Sequence, residues 1–63
     1  MESDRAELSA LATTLDDLTR RLTTTADRLQ GSPRSDVAEG LYEVERSLLT
    51  ASRTLERVLR TMR

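Results

Sequence analysis

A single Gly-Ser-Pro break at Gly31, Ser32 and Pro33 divides a chain whose apolar residues otherwise recur in alternating steps of three and four. Before the break the register is Leu8, Leu11, Leu15, Leu18, Leu22, Thr25 and Leu29; after it, Val37, Leu41, Val44, Leu48, Ala51, Leu55, Val58 and Met62. That spacing draws one stripe along each of two α-helices, and a connection this short makes the helices antiparallel neighbours. The sequence predicts an all-α fold, an antiparallel helical hairpin of coiled-coil type, forming one domain over residues 1–63. Helix one is expected over about residues 3–30, the turn over about 31–35 and helix two over about 36–63.

Asp4, with Glu7 three residues on, has the layout of a capping box, and Glu2, Asp4 and Glu7 complement the positive end of a helix dipole. Gly31 suits a left-handed stop. Ser32 before Pro33 suits an N-cap followed by a first-turn proline, and Asp36 with Glu39 offers a second start a turn later. Folded at Pro33, facing residues sum to about 66, which sets Leu8 near Val58, Leu15 near Ala51, Leu22 near Val44 and Leu29 near Val37. The acids Glu2, Asp4, Glu7, Asp16 and Asp17 then approach Arg53, Arg57, Arg60 and Arg63, a bias on orientation that adds little stability.

The two helices differ in apolar width. Helix one carries a narrow stripe flanked by small Ala12, Thr19 and Ala26, whereas Tyr42, Leu49 and Leu59 widen the arc of helix two to about 160°. One hairpin partner cannot cover that arc, and below roughly 70 residues a lone core rarely supplies more than about 3–5 kcal/mol. The expectation is a homodimer forming a four-helix bundle, self-associating through Leu41, Tyr42, Leu48, Leu49, Leu55 and Leu59.

Composition narrows the function classes. Ten basic residues against eleven acidic ones leave a net charge of −1, which argues against general nucleic-acid binding. All the basic residues are Arg, and Lys, Ile, Asn and Phe are absent, a pattern of GC-rich coding rather than of phosphate recognition. No Cys and no His stand in the chain, so no disulfide framework, thiolate metal site or histidine base can be built. No nucleophile–base pair or Gly-rich phosphate loop is present either, so neither an enzyme nor a cofactor is expected. The acidic start and the lack of a long apolar run predict no signal peptide or membrane span, hence a cytoplasmic protein.

Several residues carry specific expectations. Asp16 with Arg20 and Asp17 with Arg21 have the order and spacing of surface ion pairs on a helix. Thr25 takes a seam position where Leu would serve, with its hydroxyl free to bond a carbonyl one turn back. Gly40 either admits close helix approach or marks a fraying end. Tyr42, the only aromatic residue, is expected to pack its ring on a neighbouring chain with its hydroxyl wet. Arg46, Arg53 and Arg60 recur every seven residues with Arg57 beside them, a solvated face or a grip for an anionic partner.

The stretch Glu45-Arg46-Ser47-Leu48-Leu49-Thr50-Ala51-Ser52-Arg53-Thr54-Leu55-Glu56-Arg57-Val58-Leu59 resembles the second helix of short helical-hairpin proteins from high-GC actinobacteria. The resemblance covers about a quarter of the chain and implies a small cytoplasmic hairpin with no functional residues to carry over. Actinobacterial anti-sigma hairpins that bind cyclic di-GMP use Glu-x3-Ser-x2-Arg-x3-Gln-x3-Asp. Glu43 and Ser47 match its first two places, but Thr50, Thr54 and Val58 hold the others, so that motif is not met. The function expected is a protein–protein assembly module, adaptor or scaffold. The alternative is a regulatory hairpin that sequesters a transcription factor or binds an anionic nucleotide on its Arg face.

Overall fold

The computed structural model describes residues 2–62 as two antiparallel helices packed side by side, α1 (Glu2–Gln30) and α2 (Ser35–Thr61). Met1 and Arg63 lie outside the described residues, Arg63 with the last position expected of helix two and of the basic C-terminal cluster. The pair is a rod, with principal extents of 48 × 15 × 10 Å.

Both ends of the connection differ in detail from the sequence expectation. α1 begins at Glu2, so Asp4 sits inside the first turn as a charge on the helix dipole and not as an N-cap. Gly31 does not take a left-handed conformation; no described residue has positive φ. The turn is instead built on Ser32. Its backbone N–H donates to the Leu29 carbonyl at 3.0 Å, its hydroxyl donates to the same carbonyl at 2.7 Å, and its Oγ accepts the Arg34 N–H at 3.0 Å. Pro33 supplies the reason α1 stops there, because the residue before a proline is disfavoured in the helical region. Arg34 rather than Ser32 stands at the N-cap of α2, and its carbonyl accepts the Val37 N–H at 3.0 Å.

The seam is centred on small side chains. Ala26 is 0% and Ala38 1% exposed, Thr19 and Ser52 are buried, and no large side chain is fully buried among the described residues. The row Ala12, Thr19, Ala26 thus faces the row Ala38, Glu45, Ser52, Leu59, in which half-buried Glu45 bonds Thr23, and the leucines Leu8, Leu15, Leu22, Leu29, Leu41, Leu48 and Leu55 lie half-covered beside it. This corrects the expected seam. Leu11, Leu18, Val44 and Val58, placed between the helices by the heptad reading, are 47%, 46%, 43% and 41% exposed. Interaxial separation depends on what stands at the contact, and small residues there let the backbones close while bulky neighbours fan outward.

Two substitutions test this packing by thermal unfolding at fixed protein concentration. Gly40 is exposed, with nothing within 4 Å of an added Cβ, so it serves no close approach. Gly40→Ala is expected to stabilise by about 0.5–1 kcal/mol and raise the midpoint by several degrees. Ala26→Leu, with no space to enter, is expected to cost about 1–3 kcal/mol and lower it.

Candidate functional site

Viewed along the rod, the seam divides the hairpin into two long faces of opposite character. At 100° per residue, the row Leu11, Leu18, Thr25 on α1 and the row Val37, Val44, Ala51, Val58 on α2 project to the same side. With the half-covered leucines between them they form one apolar face contributed by both helices. On the opposite side stand Ser9, Asp16, Thr23 and Gln30 of α1 and Tyr42, Leu49 and Glu56 of α2.

The polar face is tied across the helices by side-chain hydrogen bonds. Ser52 donates its hydroxyl to Asp16 Oδ1 at 3.1 Å, and Thr23 Oγ1 lies 2.5 Å from Glu45 Oε2 and 3.0 Å from the Thr19 carbonyl, its one hydrogen shared between them. Tyr42 donates to Asp27 Oδ1 at 2.5 Å, with Gln30 Oε1 at 3.1 Å. The Asp16–Ser52, Thr23–Glu45 and Asp27–Tyr42 bonds share one register, about two residues beyond the pairing expected from a fold at Pro33. Every buried side-chain polar atom among the described residues has a partner.

This network reassigns several expected roles. Asp16 bonds Ser52 across the seam, so Arg20 pairs with Asp17 at 3.3 Å, and Arg21 also reaches Asp17, at 3.6 Å as expected. The remaining ion pair among the described residues, Arg34–Asp36 at 3.5 Å, is local too. The acidic start and basic end of the chain therefore make no direct ion pair there. Thr25 satisfies itself locally, donating to the Arg21 carbonyl at 3.1 Å. Tyr42 does not keep a free hydroxyl. Its bond to the Asp27 carboxylate, then its partial burial and the nearby charges of Asp27 and Glu45, hold the phenol above its ordinary value of 10.0.

The predicted self-association residues separate. Leu41, Leu48 and Leu55 border the apolar face, Leu59 lies in the row turned toward α1, and Tyr42 and exposed Leu49 belong to the polar face. The wide arc read on helix two is thus shared out by its own chain. Arg46, Arg53 and Arg60 are exposed along the polar face, with Arg57 on the outer side of α2. They are not gathered at one point: Arg60 lines a shallow groove of about 300 Å³ with Arg5, Glu56 and Leu59, and Arg46 a separate one with Glu43, Ser47 and Thr50. Among the described residues no three His, Cys, Asp or Glu stand together to hold a metal, and no helix is long and apolar enough to cross a membrane. The cross-helix bonds of Asp16, Asp27 and Glu45 were not read from the sequence; an acid facing a hydroxyl residue is visible only once the register is known.

Comparison with protein-family models, with curated proteins and with solved structures finds no match for this chain.

Tyr42 is the only tyrosine, so phenolate absorbance titrates one group. Its midpoint is expected above 10.0 in the folded chain and closer to that value in Asp27→Asn. A raised folded value means that this contact contributes fully below pH 10 and is lost as pH rises through the folded midpoint. Between pH 10 and the folded midpoint Tyr42→Phe should accordingly lose less stability than the parent chain, read as denaturation midpoints at each pH.

Proposed function

We propose that this chain is a non-enzymatic protein–protein assembly module, in which two hairpins join as a four-helix bundle and the outward polar faces meet another protein in an adaptor or scaffold role. The observation that supports this reading is the half-exposed row of Leu11, Leu18, Val44 and Val58 on one face of a hairpin that fully buries no large side chain among the described residues. The accessible surface is 4788 Å², against roughly 4,100 Å² for a compact monomer of this mass. The radius of gyration is 14.6 Å, against about 11 Å for a compact chain of this length. Contiguous apolar surface on a small rod is the mark of an interface. The proposed setting is the cytoplasm, in keeping with a chain that carries no cysteine.

A second reading, a regulatory hairpin that takes an anionic nucleotide or sequesters a transcription factor, is favoured by one feature. The Arg46, Arg53 and Arg60 row stays exposed on the face opposite the apolar one, so bundle formation leaves it open. Calorimetry would then show salt-sensitive binding that disappears in Arg53→Ala.

For the assembly reading, light scattering at micromolar concentration is expected to give the mass of a dimer. Leu18→Glu removes about 1.5–3 kcal/mol of burial from each copy and should raise the dissociation constant about a hundredfold or more. Leu49→Glu, on the polar face, should leave the dimer in place. A monomeric parent chain would contradict this reading.

A further inference from the structure

Two rows border the apolar face, each about 50° further round its helix than the apolar row beside it. On α1 the border runs Glu7, Thr14, Arg21, Arg28, next to Leu11, Leu18 and Thr25; on α2 it runs Gly40, Ser47, Thr54, Thr61, next to Val37, Val44, Ala51 and Val58. All eight border residues are exposed. The charges of the border therefore lie on α1 alone, acidic toward the open end of the hairpin and basic toward its turn. Among the described residues neither Glu7 nor Arg28 enters an ion pair. The cross-helix bonds fix which residues share a level of the rod, and its midpoint falls at Leu18 of α1 and Ala51 of α2. Glu7 stands eleven residues before Leu18 and Arg28 ten residues after it, so opposite charges lie at nearly equal distances either side of the centre.

We infer that the apolar face is covered by a second copy of this chain turned end for end, about a two-fold axis that crosses the rod at Leu18 and Ala51. Each α1 then lies antiparallel on the α1 of the other copy, each α2 on the other α2, and the two turns sit at opposite ends. This inference rests on the assembly reading above and specifies its geometry. A two-fold interface requires a self-complementary patch, and the α1 border is one. With the rods in full overlap, Glu7 of each copy comes opposite Arg28 of the other and Arg21 opposite Thr14, so two ion pairs form and no like charges meet; flanking charges of this kind set orientation in paired helices. Placing both turns at the same end would instead set α1 on α2, where Glu7, Arg21 and Arg28 fall at the levels of neutral Thr61, Ser47 and Gly40. The charged residues Asp36, Glu43 and Arg57 stand about 50° beyond that border, on the outer side of α2. The apolar rows agree with the reversal. Leu11 shares a level with Val58, and the smaller Thr25 with Val44; reversal lays the bulkier pair on the smaller one, whereas a common end stacks each pair on itself. The face is 48 Å by 15 Å, a footprint of roughly 700 Å² per copy at full overlap, close to the approximately 800 Å² per partner of a standard stable interface.

The test uses two full-length variants, Glu7→Arg and Arg28→Glu, with dimer dissociation constants measured by sedimentation equilibrium for each alone and for an equimolar mixture. Each variant alone opposes like charges at both contacts and is expected to weaken the dimer about tenfold. In a mixed dimer the R28E substitution of one chain meets the E7R substitution of the other, while the second contact keeps its parent Glu7–Arg28 pair. Opposite charges then meet at both places, and mixed dimers should return to within about twofold of the parent affinity. A loss that came only from a weakened helix would not be recovered on mixing. A parent dimer whose single variants dissociate as the parent does, or whose variants show no recovery when mixed, overturns this geometry and leaves the assembly reading standing. A parent chain that is monomeric overturns both.

Discussion

Close approach of two helices over small side chains is the constraint from which the rest of this hairpin follows. Ala26 and Ala38 are wholly covered, and Thr19 and Ser52 nearly so. With little bulk at the centre, the large side chains have no room between the axes and are displaced to one side. Such a centre contributes little hydrophobic free energy in itself, since an alanine methyl removes little apolar area from water. The principal apolar material of the fold therefore lies on one open side of the seam and not at its centre.

The side of the seam opposite the leucines is closed by polar contacts. Thr19 donates to the Leu15 carbonyl at 2.8 Å, which lets a hydroxyl residue occupy the buried centre without an unpaired donor. Ser52 and Tyr42 reach carboxylates on α1, and Thr23 meets Glu45 of α2. In each case one partner is a neutral hydroxyl and the other an acid at the rim, so no charge is taken deep into the seam. Bonds of this type add modest stability, but a slip of one residue would separate every pair. They hold the helices in one register and mark which side of the hairpin faces water.

Much of the fold was legible in the sequence. The Gly-Ser-Pro break set the turn, the three-four spacing set the helices, and the short connection set their orientation. Half of the seam was not legible, for a geometric reason. The row Leu8, Leu15, Leu22, Leu29 belongs to two overlapping heptad patterns, one completed by Leu11, Leu18 and Thr25 and the other by Ala12, Thr19 and Ala26. Hydrophobicity alone selects the first, because leucine outranks alanine. Packing inside one hairpin selects the second, because alanine permits closer axes. The signal was present as small residues repeating every seven positions, and it reads as a seam only when the leucines are allowed a different neighbour. The polar face was hidden for a related reason. Asp27 and Tyr42 are fifteen residues apart and become partners only through the turn.

The two heptad patterns on α1 thus lie on two surfaces, the small-residue row against its own α2 and Leu11 and Leu18 on the open apolar side. The same division holds on α2, where Ala38 and Ser52 face inward while Val44 and Val58 face out. Leucines at half exposure give a lone hairpin only part of their burial, and the hydroxyl–acid bonds on the far side fix its register. Under the proposed assembly, keeping both separates the roles: the apolar face is covered by a second hairpin while Arg46, Arg53 and Arg60 stay exposed on the opposite face. Partner recognition on that outer face would then depend on assembly only through valency, since each bundle displays two copies of the arginine row turned away from one another.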